Sequence, residues 1–537
     1  MRYVLNASEM KRADENTIEK IGISGAVLME RAALALLRAI QGIDKKLHPV
    51  KNALIAVGVG NNGGDGLALA RLLLDSGVCV DVLIIGDENK ATPQWREERK
   101  ILESVRQNIK SGLDASDKEK YGNINILKCD ENALLALKEK RYDLIADAIF
   151  GVGLKRDVEG LYEKLIECLN LMQGTKLSVD IPSGVSADDG SIKNCAFKAD
   201  MTVTFGFLKR GLLMYPGCLC TGEVIAADVG INEYAFCGDF PEMFMLDGEI
   251  REIMPYRRPD GHKGTFGKVL LIAGSKNMAG AAVLSARAVL QSGAGMVKVL
   301  SCEENRVIMQ TAVPEAMFGT YDELEAALKW ADVIAIGCGI QKGDEAGKIL
   351  YDAINKSRLP IVIDADGLNI LSSDEEIFEA LSEEGKRGRG IILTPHIAEL
   401  KRLVKYNDDF KTDNELIAAA GALSRELNAV VVAKNARSYV VKDKEPVCIS
   451  VRGNNAAATA GSGDVLAGCV AGIFAQIIGG ADIRGGSFSY LAACIGVNVH
   501  GEAVKRASLI KGDYAVTAKD IAENIGVVQE NNYENKA

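Results

Sequence analysis

The stretch ALIAVGVGNNGGDGLALARLLLDSG, residues 53–77, decides the architecture of the chain. Its first eight residues are a continuous apolar run of small and β-branched side chains, the pattern of a strand buried on both faces. From Asp65 onward apolar residues recur at helical spacing, and Gly77 closes the run as a helix stop. GNNGGDG (60–66) joins the two. Strand, glycine turn and helix in this order are the repeating unit of a parallel sheet with helices on its faces. VDVLIIG (80–86), NINILKC (123–129), YDLIADAIFG (142–151), KLSVDIPSG (176–184) and MTVTFGF (201–207) read as further buried strands. Residues 8–40 read as two helices ahead of them.

Around 232–262 the pattern breaks, with Pro241, Pro255 and Pro259 close together. The alternation then restarts. KVLLIAGS (268–275) leads into a small-residue helix at 279–295, and MVKVLSC, ADVIAIGCG, LPIVIDADG, GIILTPH and NAVVVAKN follow as strands. NNAAATAGSGDVLAGCVAGIFAQ (454–476) is a glycine turn opening a long apolar helix, read as extending over 465–481. The chain reads as α/β with two different domains: 1–238, a linker at 239–254, and 255–530.

Composition narrows the function. The chain has 537 residues, with 63 Lys plus Arg and 73 Asp plus Glu, for a net charge of −10. That balance argues against nucleic acid and membrane surfaces, whose anionic faces attract basic patches. Twelve cysteines stand without any C-x-x-C, and four histidines show no zinc-ligand spacing. Free thiols in a reducing cytoplasm are expected. The polar, charged N-terminus is no signal peptide. The uncharged run between Asp464 and Asp482 is short for a membrane span and reads as a buried helix. Such Gly-rich apolar helices suit either a core or an interface between copies in a homo-oligomer.

Several motifs carry chemistry. GNNGGDG brings backbone N–H groups and a helix N-terminus to one place, suited to anionic oxygen. It is neither G-x-G-x-x-G nor a P-loop, and a plain glycine connection with Asp65 as a helix-start charge also fits. Asp143, Asp147 and Asp180 are placed at the C-terminal ends of strands, where ligands bind in open α/β sheets; each also fits a turn cap. Asn62, Asp147 and Ser183 offer hard oxygens for a cation. In the second half, AGSGDVLAG (460–468) sets Asp464 beside backbone N–H groups that can cradle a transferring phosphoryl group. Asp464 suits a base for an attacking hydroxyl, or a helix N-cap. Lys434 ends a strand near a possible phosphate. His396 stands at a strand-to-helix junction, as ligand or as helix-start residue. Asp364 and Asp366 in DADGLN suit magnesium or capping.

The motifs LMERAA (28–33), GNNGGDG, DAIFGVGLKRDVEG (147–160) and VDIPSGVSADDG (179–190) resemble the NAD(P)H-hydrate epimerase domain. The resemblance implies a Rossmann-like three-layer sandwich. It implies that Asn61, Asn62, Gly63, Gly64 and Asp65, with Gly151, Val152, Gly153, Leu154, Lys155, Arg156, Asp157 and Asp180, hold a hydrated nicotinamide nucleotide. Asn62, Asp147 and Ser183 would bind potassium, and the reaction would interconvert the R and S hydrates at carbon six, with Asp180 as acid–base.

The second half resembles the ribokinase-like NAD(P)H-hydrate dehydratase domain through HKGTFGKVLLIAGS, DADGLNIL, LTPHIAEL and ATAGSGDVLAG. That implies Asp464 as catalytic base, with Ala281, Gly339 and His396 lining the substrate pocket. Lys434, Asn435, Ala436, Arg437, Ser438 and Gly463 would hold ADP or ATP with magnesium. Ile397 and Ala398 stand where the family has Pro-Gly, Asn435 where it has Gly, and Ala460 where it has Gly. Together the two resemblances imply a cytoplasmic repair enzyme for hydrated NADH and NADPH. The alternative reading is a ribokinase-like kinase of a vitamin precursor, carrying a non-catalytic N-terminal binding module.

Overall fold

The computed structural model describes residues 1–44, 49–112, 120–137, 139–248, 250–480 and 487–529. Residue 481, the expected end of one helix, and residue 530, the expected end of the second domain, lie outside them. The chain forms two compact units, Tyr3–Pro241 and Met1–Arg2 with Glu242–Ala537.

The first unit contains β1 (Arg2–Leu5), β2 (Asn52–Val57), β3 (Cys79–Ile84), β4 (Ile124–Lys128), β5 (Leu144–Ala148), β6 (Thr175–Val179), β7 (Met201–Phe205), β8 (Leu208–Lys209) and β9 (Glu223–Ala227). Seven of them form one sheet in the order β4-β3-β2-β5-β6-β7-β9, every neighbouring pair parallel. The continuous apolar runs are explained by burial on both faces. In β2, Ala53, Ile55 and Val57 join the core beneath helices Ala7–Asn16, Gly25–Asp44, Asn61–Asp75 and Pro93–Gly112. Leu54 and Ala56 point the other way, into a core shared with helices Glu131–Leu137 and Leu161–Leu171. Three layers result. Strand order reverses between β2 and β5, so their C-terminal ends open a crevice suited to a ligand.

GNNGGDG is not a loop: the helix begins at Asn61. Its glycines are required by packing. A Cβ on Gly63 would stand 1.9 Å from the Gly58 carbonyl oxygen, and one on Gly66 would stand 2.6 Å from the Ala148 Cβ. The first turn therefore lies directly against the end of β2. Asp143 departs from its expected place. It precedes β5, and its carboxylate accepts the backbone N–H groups of Lys51 and Asn52, both at 2.9 Å. It caps the opposite end of the sheet from the crevice. The short strand β1, which pairs in parallel with β8, escapes a periodicity reading because RYVL holds only four residues.

The second unit contains β10 (Met243–Met245), β11 (Lys268–Ile272), β12 (Met296–Leu300), β13 (Met317–Gly319), β14 (Val333–Ile336), β15 (Ile361–Ile363), β16 (Ile391–Leu393), β17 (Val430–Ala433), β18 (Ser438–Val441) and β19 (Val447–Ser450). They run β13-β12-β11-β14-β15-β16-β17-β18-β19-β10. The sheet is parallel from β13 to β17, and β18 and β19 continue it antiparallel. β10 lies within 239–254, and it pairs with β19. Helix Ser462–Gly480 is long and apolar enough to cross a membrane, yet 78% of its Ser462–Gly479 window is buried. It packs between helices Ala279–Gln291 and Phe488–Lys511. Gly468 and Gly472 make this close approach possible, since a Cβ there would stand 2.3 Å from the Ser285 carbonyl and 2.6 Å from that of Val289.

Gly63→Ala tests the packing account. Alanine gains about 1 kcal/mol of helix propensity over glycine in a helix interior. The clash with a backbone oxygen costs more, on the order of 1–3 kcal/mol. The expected result is a lowered midpoint of thermal unfolding, with Gly153→Ala, which meets open space, as the unchanged control. A Gly63→Ala chain as stable as wild type would overturn it.

Candidate active sites

Two clusters of polar side chains stand at the crevice of the first unit. In one, Asp147 is fully buried at the end of β5. Its carboxylate accepts the Ser183 N–H at 2.7 Å, the Ser183 hydroxyl at 2.6 Å and the Ile149 N–H at 3.2 Å. Burial nevertheless pushes its pKa up to about 6. Asn62 donates its amide to the Phe150 carbonyl at 2.9 Å, while its buried Oδ1 has no hydrogen-bond partner. Gly151 closes over it: a Cβ there would meet the Asn62 Cβ at 3.2 Å.

The other cluster centres on Asp180, which follows β6 with φ of +65°. A non-glycine residue in this left-handed region is strained, and the surroundings must hold it. They do so through one oxygen. Oδ1 accepts the Lys209 ammonium at 2.6 Å, the Thr204 hydroxyl at 3.0 Å and the Phe205 N–H at 3.1 Å. Lys209 is 1% exposed and also donates to Thr204 Oγ1 and the Phe205 carbonyl, both at 2.9 Å. Asp65 and Asp14 complete the cluster. Burial, then the charges of Asp180 and Asp14, raises the Asp65 carboxyl well above its ordinary range. Burial and Asp180 raise Asp14 as well. The backbone N–H groups of Asn61, Asn62 and Gly63 make no hydrogen bond among the described residues, as befits a helix start open to an anion.

The structure thus brings Asn62 and Gly151 together with Asp147 and Ser183, and Asp65 together with Asp180, while Gly63 packs on Gly58 and Gly64 on Met29. Asn61, Gly153, Lys155, Arg156 and Asp157 are exposed, while Val152 and Leu154 are partly covered by apolar neighbours. Lys209, Thr204 and Asp14 escaped the sequence reading. Lys209 follows the apolar FGFL directly, and an ammonium in such a context is the one local sign that it is buried and paired.

In the second unit the site gathers where strands β14 to β17 end. Asp464 stands in the first turn of helix Ser462–Gly480, so it is not the N-cap. Burial pushes its carboxyl up to about 6, offset by a hydrogen bond from Cys338. The N–H groups of Gly463 and Asp464 make no hydrogen bond among the described residues. Asp364, at the end of β15, accepts the Lys434 ammonium at 2.8 Å. Glu399 stands 4.0 Å from the same ammonium. Burial alone would lower Lys434, but these two carboxylates outweigh it and hold the ammonium above its usual value. Two buried carboxylates against one ammonium leave an excess negative charge. His396 proves to be a helix N-cap: its Nδ1 accepts the N–H of Ala398 at 3.0 Å and of Glu399 at 3.4 Å, and Glu399 closes a capping box. This cap forms with Ile397 and Ala398 in the first turn. Burial, then Lys434 and Arg402, lowers its pKa.

Ala281 and Gly339 are neighbours, since a Cβ on Gly339 would meet that of Ala281 at 2.9 Å. The segment 434–438 is the turn from β17 to β18. Within it Lys434 reaches Asp364, the Asn435 amide is held by Asp413 at 2.9 Å, and Arg437 donates to the Val451 carbonyl at 3.2 Å. Asp366 accepts the Gln341 N–H at 3.0 Å. Gly463 leaves space toward Lys434, whose Nζ would lie 3.6 Å from a Cβ there. Glu399, Cys338 and His500 were not anticipated. His500 is half-buried with Nε2 3.1 Å from the Ser462 carbonyl, and burial lowers its pKa to about 4.

Two α/β units, each with a buried carboxylate beside an open helix start at strand ends, define an enzyme with two separate sites for phosphate-bearing small molecules. Comparison with known proteins narrows the class. Residues 269–526 match the NAD(P)H-hydrate dehydratase family and residues 25–211 the YjeF-related protein N-terminus. The bifunctional NAD(P)H-hydrate repair enzyme of Moorella thermoacetica is 32% identical, over 98% of this chain and 97% of its own. The enzyme of the same description from Escherichia coli is 29% identical, over 96% and 92%. A ribokinase-like superfamily protein of Enterococcus faecalis is 25% identical, covering 54% of this chain and 96% of its own with a TM-score of 0.46. The chain belongs to the family of bifunctional NAD(P)H-hydrate repair enzymes.

Lys209→Met tests the frame of the first site. Removing one partner of a buried ion pair costs about 3–5 kcal/mol. A lowered urea midpoint is expected, read on a probe in the first unit; an unchanged one would show that the pair does not hold Asp180.

Proposed function

We propose that the chain restores hydrated nicotinamide nucleotides in two reactions. The first unit inverts the R and S hydrates of NADH and NADPH at carbon six, and the second dehydrates the S form with ADP, or ATP, as phosphoryl donor. The observation that carries the second assignment is Asp464. It is a half-buried carboxylate beside two N–H groups that make no hydrogen bond among the described residues, with Lys434 close by.

The chemistry follows from the leaving group. Hydroxide leaves carbon six poorly, whereas phosphate leaves well. Asp464 takes the proton of the carbon-six hydroxyl as that oxygen attacks the terminal phosphorus and the bridging P–O bond breaks. The N–H groups of Gly463 and Asp464 and the Lys434 ammonium stabilise charge on the transferring phosphoryl. The ring-nitrogen pair then forms a C=N bond as the C–O bond breaks and phosphate departs. Loss of a carbon-five proton to that phosphate restores the dihydronicotinamide. Magnesium bound with the nucleotide would offset its phosphate charge, and the excess carboxylate of Asp364 and Glu399 suits it.

In the first unit the orphaned Asn62 Oδ1, the Asp147 carboxylate and the Ser183 hydroxyl are hard oxygen donors that fit potassium. Such an ion supplies fixed positive charge beside the nucleotide's phosphates. The open N–H groups of 61–63 would bind those phosphates, and Asp180 would handle a proton at carbon six.

The test is incubation with an equilibrated R and S mixture, magnesium, potassium and either nucleotide, following the near-ultraviolet absorbance of reduced nicotinamide. Both epimers should be recovered in full. Asp464→Asn should slow dehydration by about 10²–10⁴-fold, the usual worth of a general base. A base with a pKa of about 6 works only when deprotonated, so kcat/KM should fall with decreasing pH through about 6 and hold above it. A stable phosphorylated product would instead mark a kinase. Recovery of the S portion alone would reduce the first unit to a binding module.

A further inference from the structure

The first site holds a carboxyl group that neither its packing nor its hydrogen bonding accounts for. Asp65 is 9% exposed, yet among the described residues it makes no hydrogen bond and no ion pair. Its companions are fully engaged: Asp147 accepts three donors, and Asp180 accepts three on one oxygen. A buried carboxyl without a partner is costly, so a group brought by the substrate is its natural counterpart. Unlike the Asn62 Oδ1, its two oxygens are not completely sealed from solvent.

Resting on the epimerase reading of this unit, we infer that Asp65 is a second catalytic residue, the proton donor opposite Asp180, and that inversion passes through a ring iminium ion. The charged groups around Asp65 are Asp180, Asp14 and Glu98, with Lys209 the single cation. Such a surplus of carboxylates favours a neutral Asp65 and stabilises a cation formed beside it. Asp180 differs: its Oδ1 is saturated by Lys209, Thr204 and Phe205, which leaves Oδ2 for the substrate as an acceptor.

The step balances. Asp65 gives its proton to the carbon-six hydroxyl, the C–O bond breaks, and the ring-nitrogen pair becomes the N=C bond, releasing water. A water molecule attacks carbon six from the other face, the N=C pair returns to nitrogen, and the surplus proton passes to Asp180. Proton return through solvent resets both groups. Each inversion therefore exchanges the hydroxyl oxygen with water. Opening of the ring to an aldehyde, the other route, keeps that oxygen.

The experiment follows conversion of the purified R hydrate to S by chromatography in ¹⁸O-water without nucleotide, on the full chain. Wild type should incorporate one labelled oxygen per inversion. Asp65→Asn should invert about 10²–10⁴-fold more slowly, a loss typical of a missing general acid. Its dehydration of pure S hydrate with ADP should stay at the wild-type rate, and its urea midpoint, read on a probe in the first unit, should match wild type. Asp65→Glu, which restores a carboxyl, should recover part of the inversion. Inversion without label sinks the iminium route, and Asp65→Asn inverting within about threefold of wild type sinks the catalytic role. A wild-type chain that inverts nothing overturns the epimerase reading itself, and this inference with it.

Discussion

A helix can offer its free N–H groups to a ligand only if its first turn lies on the edge of the sheet, and there is then no room for a side chain between them. The rest of the molecule follows from this constraint. Gly63 lies on the carbonyl of Gly58 and Gly66 on Ala148, so helix Asn61–Asp75 presents its start directly above β2 and β5. The second unit meets the same demand further along the helix. Gly468 and Gly472 let helix Ser462–Gly480 sink onto helix Ala279–Gln291, which sets Asp464 at the mouth of the site.

Once the helix starts are placed, the electrostatics divide the carboxylates by role. Those with several donors serve as frame, as Asp147 and Asp143 do. Asp364 is ion-paired with Lys434. Asp464, half-buried, and Asp65, buried, have few partners, and burial raises both. Asp180 combines the two cases, with three donors gathered on Oδ1.

Much of this was legible in the sequence. The apolar runs gave β2 to β7 because strands buried on both faces need no alternation, and GSGD marked the helix that carries Asp464. The short strands β1, β18 and β19 were not legible, since they stand outside the strand–helix alternation that marked the equally short β14 to β17. Asp143 misled for a related reason: a carboxylate five residues from a strand's C-terminal end sits beyond its other end. Lys209, Asp14 and Glu399 act through tertiary partners far along the chain, and no local spacing announces them. His396 showed the opposite case, where the plain helix-start reading describes its hydrogen bonds.

Cys338 carries a last consequence. Its thiol lies against Asp464, and burial together with the nearby carboxylates lifts it well above the ordinary thiol range. A sulfur in that setting keeps its hydrogen and is no nucleophile. The candidate site therefore places beside Asp464 a cysteine whose burial disfavours thiolate chemistry.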